Sequence, residues 1–255
     1  MALRIGVLGA GGRMGTTVCT AIDEAPDLDL VAAVDPAAPG ETAQGVAITT
    51  DRASLADAQV EVAVDFTHPD AVLDNVVWCL DNAIHVVVGT TGLRDEALDR
   101  IGDLAPEADA NAFIAPNFAI GAVLMMHFSR LAAPHLPHVE IIELHHDRKA
   151  DAPSGTALRT ADLIADAREQ APGTVMGEVV EGARGADRHG IRVHSVRLPG
   201  LVAHQEVLFG GEGQTLSIRH DSTDRTSFMP GVLLAIRSVA DRPGLTVGLE
   251  ALLGL

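Results

Sequence analysis

Positive charge is scarce in this sequence. Eighteen lysines and arginines stand against 35 aspartates and glutamates, and the 255-residue chain carries a formal net charge of −17. Neutralising nucleic-acid phosphates takes clustered lysine and arginine, so a nucleic-acid partner is disfavoured. An anionic small molecule remains compatible only if positive charge is concentrated at its site. Cysteine is scarcer still. Cys19 and Cys79 lie far apart in helical, apolar surroundings, too few for a disulfide framework or a zinc site, and both read as small buried hydrophobes. No apolar run reaches the roughly 18–20 residues that span a membrane. The opening residues, MALRIGVLGAGG, run straight into a strand without the layout of a signal peptide, so the cytoplasm is the expected location. Lysine occurs once, as Lys149, and every other basic residue is arginine.

What is present suffices for a core: 47% of residues are hydrophobic, the mean hydropathy is +0.21, and charged residues make up 21%. This length fits one large domain or two small ones. The first half alternates strand-like and helical segments. LRIGVL (3–8), LDLVAAVD (28–35), VEVAVDFTH (60–68), IHVVVGTTG (84–92) and AFIAPNF (112–118) are continuously apolar, as in a parallel sheet covered on both faces. PDAVLDNVVWCLDN and RDEALDRIGDLAPE between them have helical spacing. A doubly wound α/β domain is the expectation. After about residue 118 the pattern changes. A helix (AIGAVLMMHFSRLAA), a strand (VEIIELHH) and a helix capped by Ser154 (SGTALRTADLIADAREQ) come first. A Gly-rich stretch over 173–190 reads as an exposed loop, followed by three strand-like runs, IRVHSVRL, AHQEVLF and QTLSIRHD, and a final helix, SFMPGVLLAIRSVADR. Clustered strands indicate a second, mixed α+β domain.

GAGGRMG (9–15) follows the first strand and opens the first helix. Gly9 permits a tight turn, Gly12 lets the backbone approach a pyrophosphate, and Gly15 lets helix pack on strand. The helix N-terminus then offers N–H groups and positive dipole to phosphate. Asp35 ends the second strand twenty residues after Gly15, where an acidic residue binds the adenine ribose hydroxyls. A carboxylate there repels a 2′-phosphate and favours NADH. Arg13 in the loop offsets that repulsion and leaves NADPH open. GTTG (89–92) and APNF (115–118) lie at C-terminal ends of strands, where ligands of open α/β sheets bind, and border the expected nicotinamide end.

The chemistry is concentrated in ELHHDRKADAPSGTA (143–157). His145 and His146 suggest metal at first sight, but no third ligand stands at a suitable spacing, and no metal is expected. Anion recognition with proton transfer fits better. Gly155 and Thr156 open a helix and offer N–H groups to a carboxylate, while His146, Lys149 and Arg148 supply local positive charge. His145 and Lys149 are the titratable candidates for an acid. Arginine holds its proton, whereas lysine can release one, so the solitary lysine stands where a proton has to move.

The combination of GAGGRMG, GTTG, APNF and E-x-H-H-x-x-K-x-D-A-P-S-G-T-A resembles the 4-hydroxy-tetrahydrodipicolinate reductase (dihydrodipicolinate reductase) family of lysine and diaminopimelate biosynthesis. The likeness runs over essentially the whole chain, including RHDSTDRTSF, and is nearest the short, acidic actinobacterial members. The resemblance implies NADH and/or NADPH as cofactor and a cyclic imine dicarboxylate as substrate. It implies His145 as acid/base, Lys149 as proton donor, and His146, Gly155 and Thr156 as ligands of the substrate carboxylates. Cofactor contacts are implied at Gly9, Ala10, Gly11, Gly12, Arg13, Met14, Asp35, Gly89, Thr90, Thr91, Ala115, Pro116, Asn117 and Phe118. A dinucleotide-binding domain over 1–117, with 229–255 returning to it, and a substrate-binding domain over 118–228 that builds a homotetramer through its sheet complete the expectation. Pro36 after Asp35 departs from members that place a basic residue there. Arg225 is a further candidate for the active site. Two alternatives are another two-domain Rossmann oxidoreductase, such as a sugar or amino-acid dehydrogenase, and a non-catalytic NAD-binding regulator.

Overall fold

The computed structural model describes residues 2–169 and 177–255. The chain forms two compact units, one running to Phe118 and resuming at Phe228, the other comprising Ala119–Ser227. The first runs β1 (Leu3–Leu8), α1 (Arg13–Asp23), β2 (Leu28–Val34), β3 (Thr42–Ala43), β4 (Val46–Thr49), α2 (Ala53–Asp57), β5 (Val62–Asp65), α3 (Pro69–Asp81), β6 (His85–Val88), α4 (Asp95–Leu104) and β7 (Ala112–Ile114). The second contains α5 (Ile120–Ala132), β8 (His138–His145), α6 (Gly155–Ala167), β9 (Ala186–Arg188), β10 (Ile191–Arg197), β11 (Ala203–Gly211) and β12 (Gln214–Ser222). The chain then returns through α7 (Met229–Ser238), β13 (Leu245–Val247) and α8 (Glu250–Leu253).

In the first unit the sheet order is β13-β7-β6-β5-β1-β2-β4-β3, parallel throughout except for the β3–β4 pair. Strands buried on both faces lose the alternation of a one-sided sheet: all of Val62–Asp65 is buried, and so are Val86, Val87 and Val88. The order reverses between β1 and β5, which opens a crevice at their C-terminal ends. Gly9 (φ +80°) turns the chain out of β1, and a Cβ on it would stand 2.6 Å from the Phe66 carbonyl oxygen beyond β5. Gly15 is tighter still, because a Cβ there would stand 1.9 Å from the Gly9 oxygen. Helix α1 therefore rests directly on the turn that feeds it.

The returning segment is bound to this unit by polar contacts that reach across the sequence. Arg237 on α7 makes two hydrogen bonds to the Asp27 carboxylate (2.7 and 2.8 Å). The Asn111 side chain donates to the carbonyls of Val239 and Ala240 and accepts from the Gly244 N–H, all at 3.0 Å. The unit keeps Phe118 and Phe228, one residue away from the expected boundaries. The Phe118 ring stands 6.2 Å from those of Phe113 and Phe66, and Phe228 is the residue from which α7 starts.

The second unit's sheet has the order β12-β11-β8-β10-β9, with β8 and β10 parallel and the other pairs antiparallel. Helices α5 and α6 cover one face, onto which Val139, Ile141, Val193, Val207 and Phe209 are buried. On the other face Ile142, Leu144 and Leu208 are half-exposed among Glu140, His194, Glu206 and Arg219. Helix α6 starts as expected, with the Ser154 hydroxyl accepting from the Ala157 N–H (3.3 Å). The stretch 173–190, expected as an exposed loop, lies partly outside the described residues. Within its described part, 177–190, the structure adds the short strand β9. Gln170, placed in the expected helix, also lies outside the described residues, and α6 ends at Ala167.

Gly15→Ala should be among the most damaging single-methyl additions in the chain. Overpacking against fixed backbone costs about 3 kcal/mol or more. Thermal unfolding should show a drop of roughly 6–12 °C, whereas an unchanged midpoint would mean that α1 can shift away from the turn.

Candidate active site

The first unit holds the dinucleotide elements around the crevice. A cavity of about 590 Å³ there is lined by Gly9, Gly12, Asp35, Pro36, Phe66 and Thr67 among others. The N-cap of α1 is Gly12, which has no side chain to cover the first-turn N–H groups, so these remain available to an anion. Asp35 is partly committed to its own backbone: one oxygen accepts from the Gly11 N–H (3.0 Å), the other from the Ala37 N–H (2.9 Å). A carboxylate has about four acceptor sites, so both oxygens retain capacity for ribose hydroxyls. The carboxylate thereby also fixes the glycine turn that would carry the phosphates. Arg13 and Thr91 are exposed, Met14 and Asn117 half-buried, and Ala10 and Ala115 buried.

Two residues that sequence reasoning did not single out tie the GTTG loop to this crevice. Asp65, fully buried at the end of β5, accepts from the Thr67 N–H (2.9 Å), the Thr67 hydroxyl (2.7 Å), the Asn75 amide (2.8 Å) and the Thr90 hydroxyl (3.1 Å). The Phe66 ring lies so close over Gly89 that a Cβ there would stand 2.2 Å from it. Gly89, Thr90 and Phe118 thus converge on Asp65 and Phe66. The only signal was positional, since Asp65, like Asp35, is an acidic residue closing an apolar strand.

The candidate catalytic residues are gathered in the second unit, where β8 ends and α6 begins. His145 is the last residue of β8, and Glu143, two residues earlier, faces the same side of the strand. Glu143 is completely buried beneath it. His145 Nδ1 lies 2.5 Å from Glu143 Oε2, and Arg197 on β10 donates to both carboxylate oxygens, at 2.8 and 2.9 Å. The Ser154 N–H, at the head of α6, adds a contact of 3.3 Å. Burial alone would raise the Glu143 pKa, but the hydrogen bonds from His145, Arg197 and Ser195 outweigh it and hold the group at about 2. Glu143 is therefore a carboxylate at neutral pH. It accepts the Nδ1 proton of His145 and leaves Nε2 as the ring's other functional atom.

Beyond His145 the chain turns, with the Lys149 N–H bonded to the His146 carbonyl (3.2 Å). The Lys149 ammonium sits 2.7 Å from Asp151 Oδ1. Partial burial works against ionisation of Asp151, but Lys149 prevails and keeps its carboxyl below the ordinary range. His146 Nδ1 is buried without a hydrogen-bond partner, and desolvation, with Arg148 and His145 nearby, lowers the pKa of the ring. A buried polar atom without a partner costs about 1–3 kcal/mol, which a bound polar ligand would relieve. Gly155 is exposed and Thr156 half-buried in the first turn of α6. Among the described residues, no three His, Cys, Asp or Glu side chains are gathered as a metal ion would require. No described helix is long and apolar enough to cross a membrane. Cys19 and Cys79 are buried free thiols, and burial pushes both pKa values up to about 12.

A glycine turn leading into a helix at the switch point of a parallel sheet, with a second mixed domain that gathers histidine, lysine and arginine around a buried glutamate, defines a two-domain Rossmann oxidoreductase. Comparison narrows the class. The N-terminal and C-terminal domain descriptions of dihydrodipicolinate reductase match residues 3–118 and 121–253. The chain is 55% identical to the 4-hydroxy-tetrahydrodipicolinate reductase of Mycobacterium sp. (strain KMS), over 99% of this chain and all of that one. It is similar to the dipicolinate-bound dihydrodipicolinate reductase of Paenisporosarcina sp. TG-14, with a TM-score of 0.88, 42% identity, and 98% and 99% of the two chains covered. An amine dehydrogenase from Mycobacterium smegmatis (15% identity, TM-score 0.65, 96% and 95% covered) shares the fold alone. The chain belongs to the dihydrodipicolinate reductase family.

Glu143 also makes the site acid-sensitive. Its folded pKa, about 2, lies below the ordinary 4.5, so its contribution to stability is complete above pH 4.5 and is lost as pH falls towards 2. The loss amounts to about 3 kcal/mol. Urea unfolding between pH 5 and 2 should show this decline, and Glu143→Gln should flatten it. An equally steep decline in the variant would place the acid sensitivity elsewhere.

Proposed function

We propose that this chain is an NAD(P)H-dependent reductase that converts the dehydration product of 4-hydroxy-tetrahydrodipicolinate into tetrahydrodipicolinate, on the route to diaminopimelate and lysine. One observation carries the choice of substrate: the solved relative at 42% identity is dipicolinate-bound, and dipicolinate is a cyclic dicarboxylate like the substrate. The second unit of this chain gathers His145, His146, Lys149 and the N-terminus of α6, which suit two carboxylates and a proton.

Reduction of the imine dicarboxylate adds one hydride and one proton. The reduced nicotinamide supplies the hydride when bound. Gly9, Ala10, Gly11, Gly12, Arg13 and Met14 are the turn and first-turn residues that take the pyrophosphate, and Asp35 takes the adenine ribose. Gly89, Thr90, Thr91, Ala115, Pro116, Asn117 and Phe118 border the nicotinamide. Phosphate binding by main-chain N–H groups explains why so acidic a chain needs few cations there. Lys149 is the proton donor: its ammonium is oriented by Asp151 and carries the proton that balances the hydride. His145, buttressed by Glu143, is the acid/base. His146, with an unpaired buried nitrogen, and the first turn of α6 at Gly155 and Thr156 receive the carboxylates.

The protein is proposed to work in the cytoplasm, where the reduced nicotinamide pool is available. A homotetramer is supported by the half-exposed Ile142, Leu144 and Leu208, which a partner's sheet would cover.

Purified protein, NADH or NADPH, and the condensation product of pyruvate and aspartate semialdehyde should show nicotinamide oxidation. Cofactor binding without oxidation would overturn the assignment. Lys149→Ala should lower kcat by about 10²-fold or more, with cofactor affinity nearly unchanged. An unaltered kcat would reduce Lys149 to a surface charge. Sedimentation should report four chains per particle, and a monomer would refute the tetramer.

A further inference from the structure

The deepest charge in the second unit belongs to Glu143, and the group that answers it is the Arg197 guanidinium. Arg197 is placed for this by strand register, since β10 pairs in parallel with β8 and Arg197 lies opposite His145. Its two terminal nitrogens make four contacts. Nη1–H donates to Glu143 Oε2 (2.9 Å) and to the Val196 carbonyl (2.8 Å). Nη2–H donates to Glu143 Oε1 (2.8 Å) and to the Asp151 carbonyl (2.6 Å). The last contact reaches out of the sheet into the turn that carries Lys149. Asp151, whose main chain Arg197 grips, takes the Lys149 ammonium on its side chain (2.7 Å). A continuous line of hydrogen bonds thus runs from His145 through Glu143, Arg197 and Asp151 to Lys149.

Resting on the reductase reading above, we propose that Arg197 is a positioning residue for the reaction: its guanidinium holds the base of His145 and the turn of Lys149 at once, and so sets one proton-carrying side chain relative to the other. Without that grip the Lys149 turn would keep its main-chain bond to His146 but lose the tie that joins Asp151 to β10 and to Glu143. An error of about 1 Å in such placement costs on the order of 10²-fold in rate. The residue type agrees with this role. A planar fork can serve two carboxylate oxygens and two carbonyls in fixed directions, whereas the point charge of an ammonium cannot.

The distinction supplies the test. If Arg197 only offsets the buried charge of Glu143, Arg197→Lys will restore it and leave kcat near wild type. If Arg197 positions the turn, Arg197→Lys will fold and bind NADH as wild type does but lose about 10- to 100-fold in kcat. A kcat within twofold of wild type overturns the proposal. Should Arg197→Lys fail to fold, the double variant Arg197→Met/Glu143→Gln removes both charges together. A kcat about 10-fold or more below that of Glu143→Gln alone supports the proposal, and a kcat equal to that of Glu143→Gln overturns it. A second readout does not depend on turnover. The His145 Nδ1 proton, facing a carboxylate at 2.5 Å, should resonate far downfield in wild type and move upfield in Arg197→Lys, and an unmoved resonance counts against positioning. Absence of turnover in the wild type itself would overturn the reductase reading, and the ring-proton signal would then decide the claim about Arg197.

Discussion

A carboxylate with no access to water must be matched by donors on every side, and much of the second unit is arranged around one such group. Glu143 lies beneath the β8–α6 junction, where the sheet meets the helix that covers it. Its donors come from β8 itself, from β10 and from the residue that caps α6. Removing a donor leaves a charge stranded, so strand register, helix start and the orientation of His145 are held together by one requirement. In the first unit Asp65 has a comparable place. It takes four hydrogen bonds from Thr67, Asn75 and Thr90, and so joins the ends of β5 and β6 to α3. In each unit a buried acid fixes the loops that bear the candidate site residues.

Negative charge is thus used in two ways by a chain with a net charge of −17. Most acidic residues are solvated or paired at the surface, where they contribute little to stability. Asp65, Glu143 and the partly covered Asp35 instead organise main-chain donors and side chains within the two sites. Cations are correspondingly few, and those bound to the acids of the second site, Lys149 and Arg197, come from the turn after β8 and one neighbouring strand.

Much of this was legible in the sequence, and the unread parts have physical reasons. The glycine turn was readable because only glycine satisfies the geometry found at Gly9 and Gly15. The long apolar strands and the Ser154-capped helix follow periodicity and capping rules. β3, β9 and β13 escaped notice because two or three residues carry no period, and the residues of β9 are all exposed. VEVAVDFTH reads as strand through residue 68, but β5 stops at Asp65, where the side chain turns to bind Thr67. Glu143 could have been found from its strand spacing, since i and i+2 share a face. Arg197 could not, because nothing local marks one arginine among 17 as the one that registers against His145.

The discontinuity of the first unit has a consequence for how the molecule is made. Strand β13, the edge of the large sheet, lies at residues 245–247, and its partner β7 ends at Ile114. During synthesis, the whole of the second unit leaves the ribosome between these two strands. Until it has done so, the β7 edge carries unpaired N–H and C=O groups, and Asp27 and Asn111 lack their partners on the returning segment. The cofactor-binding half, although first to emerge, is the last to be completed. The second unit, being continuous in sequence, can close on its own buried carboxylate while the first still waits.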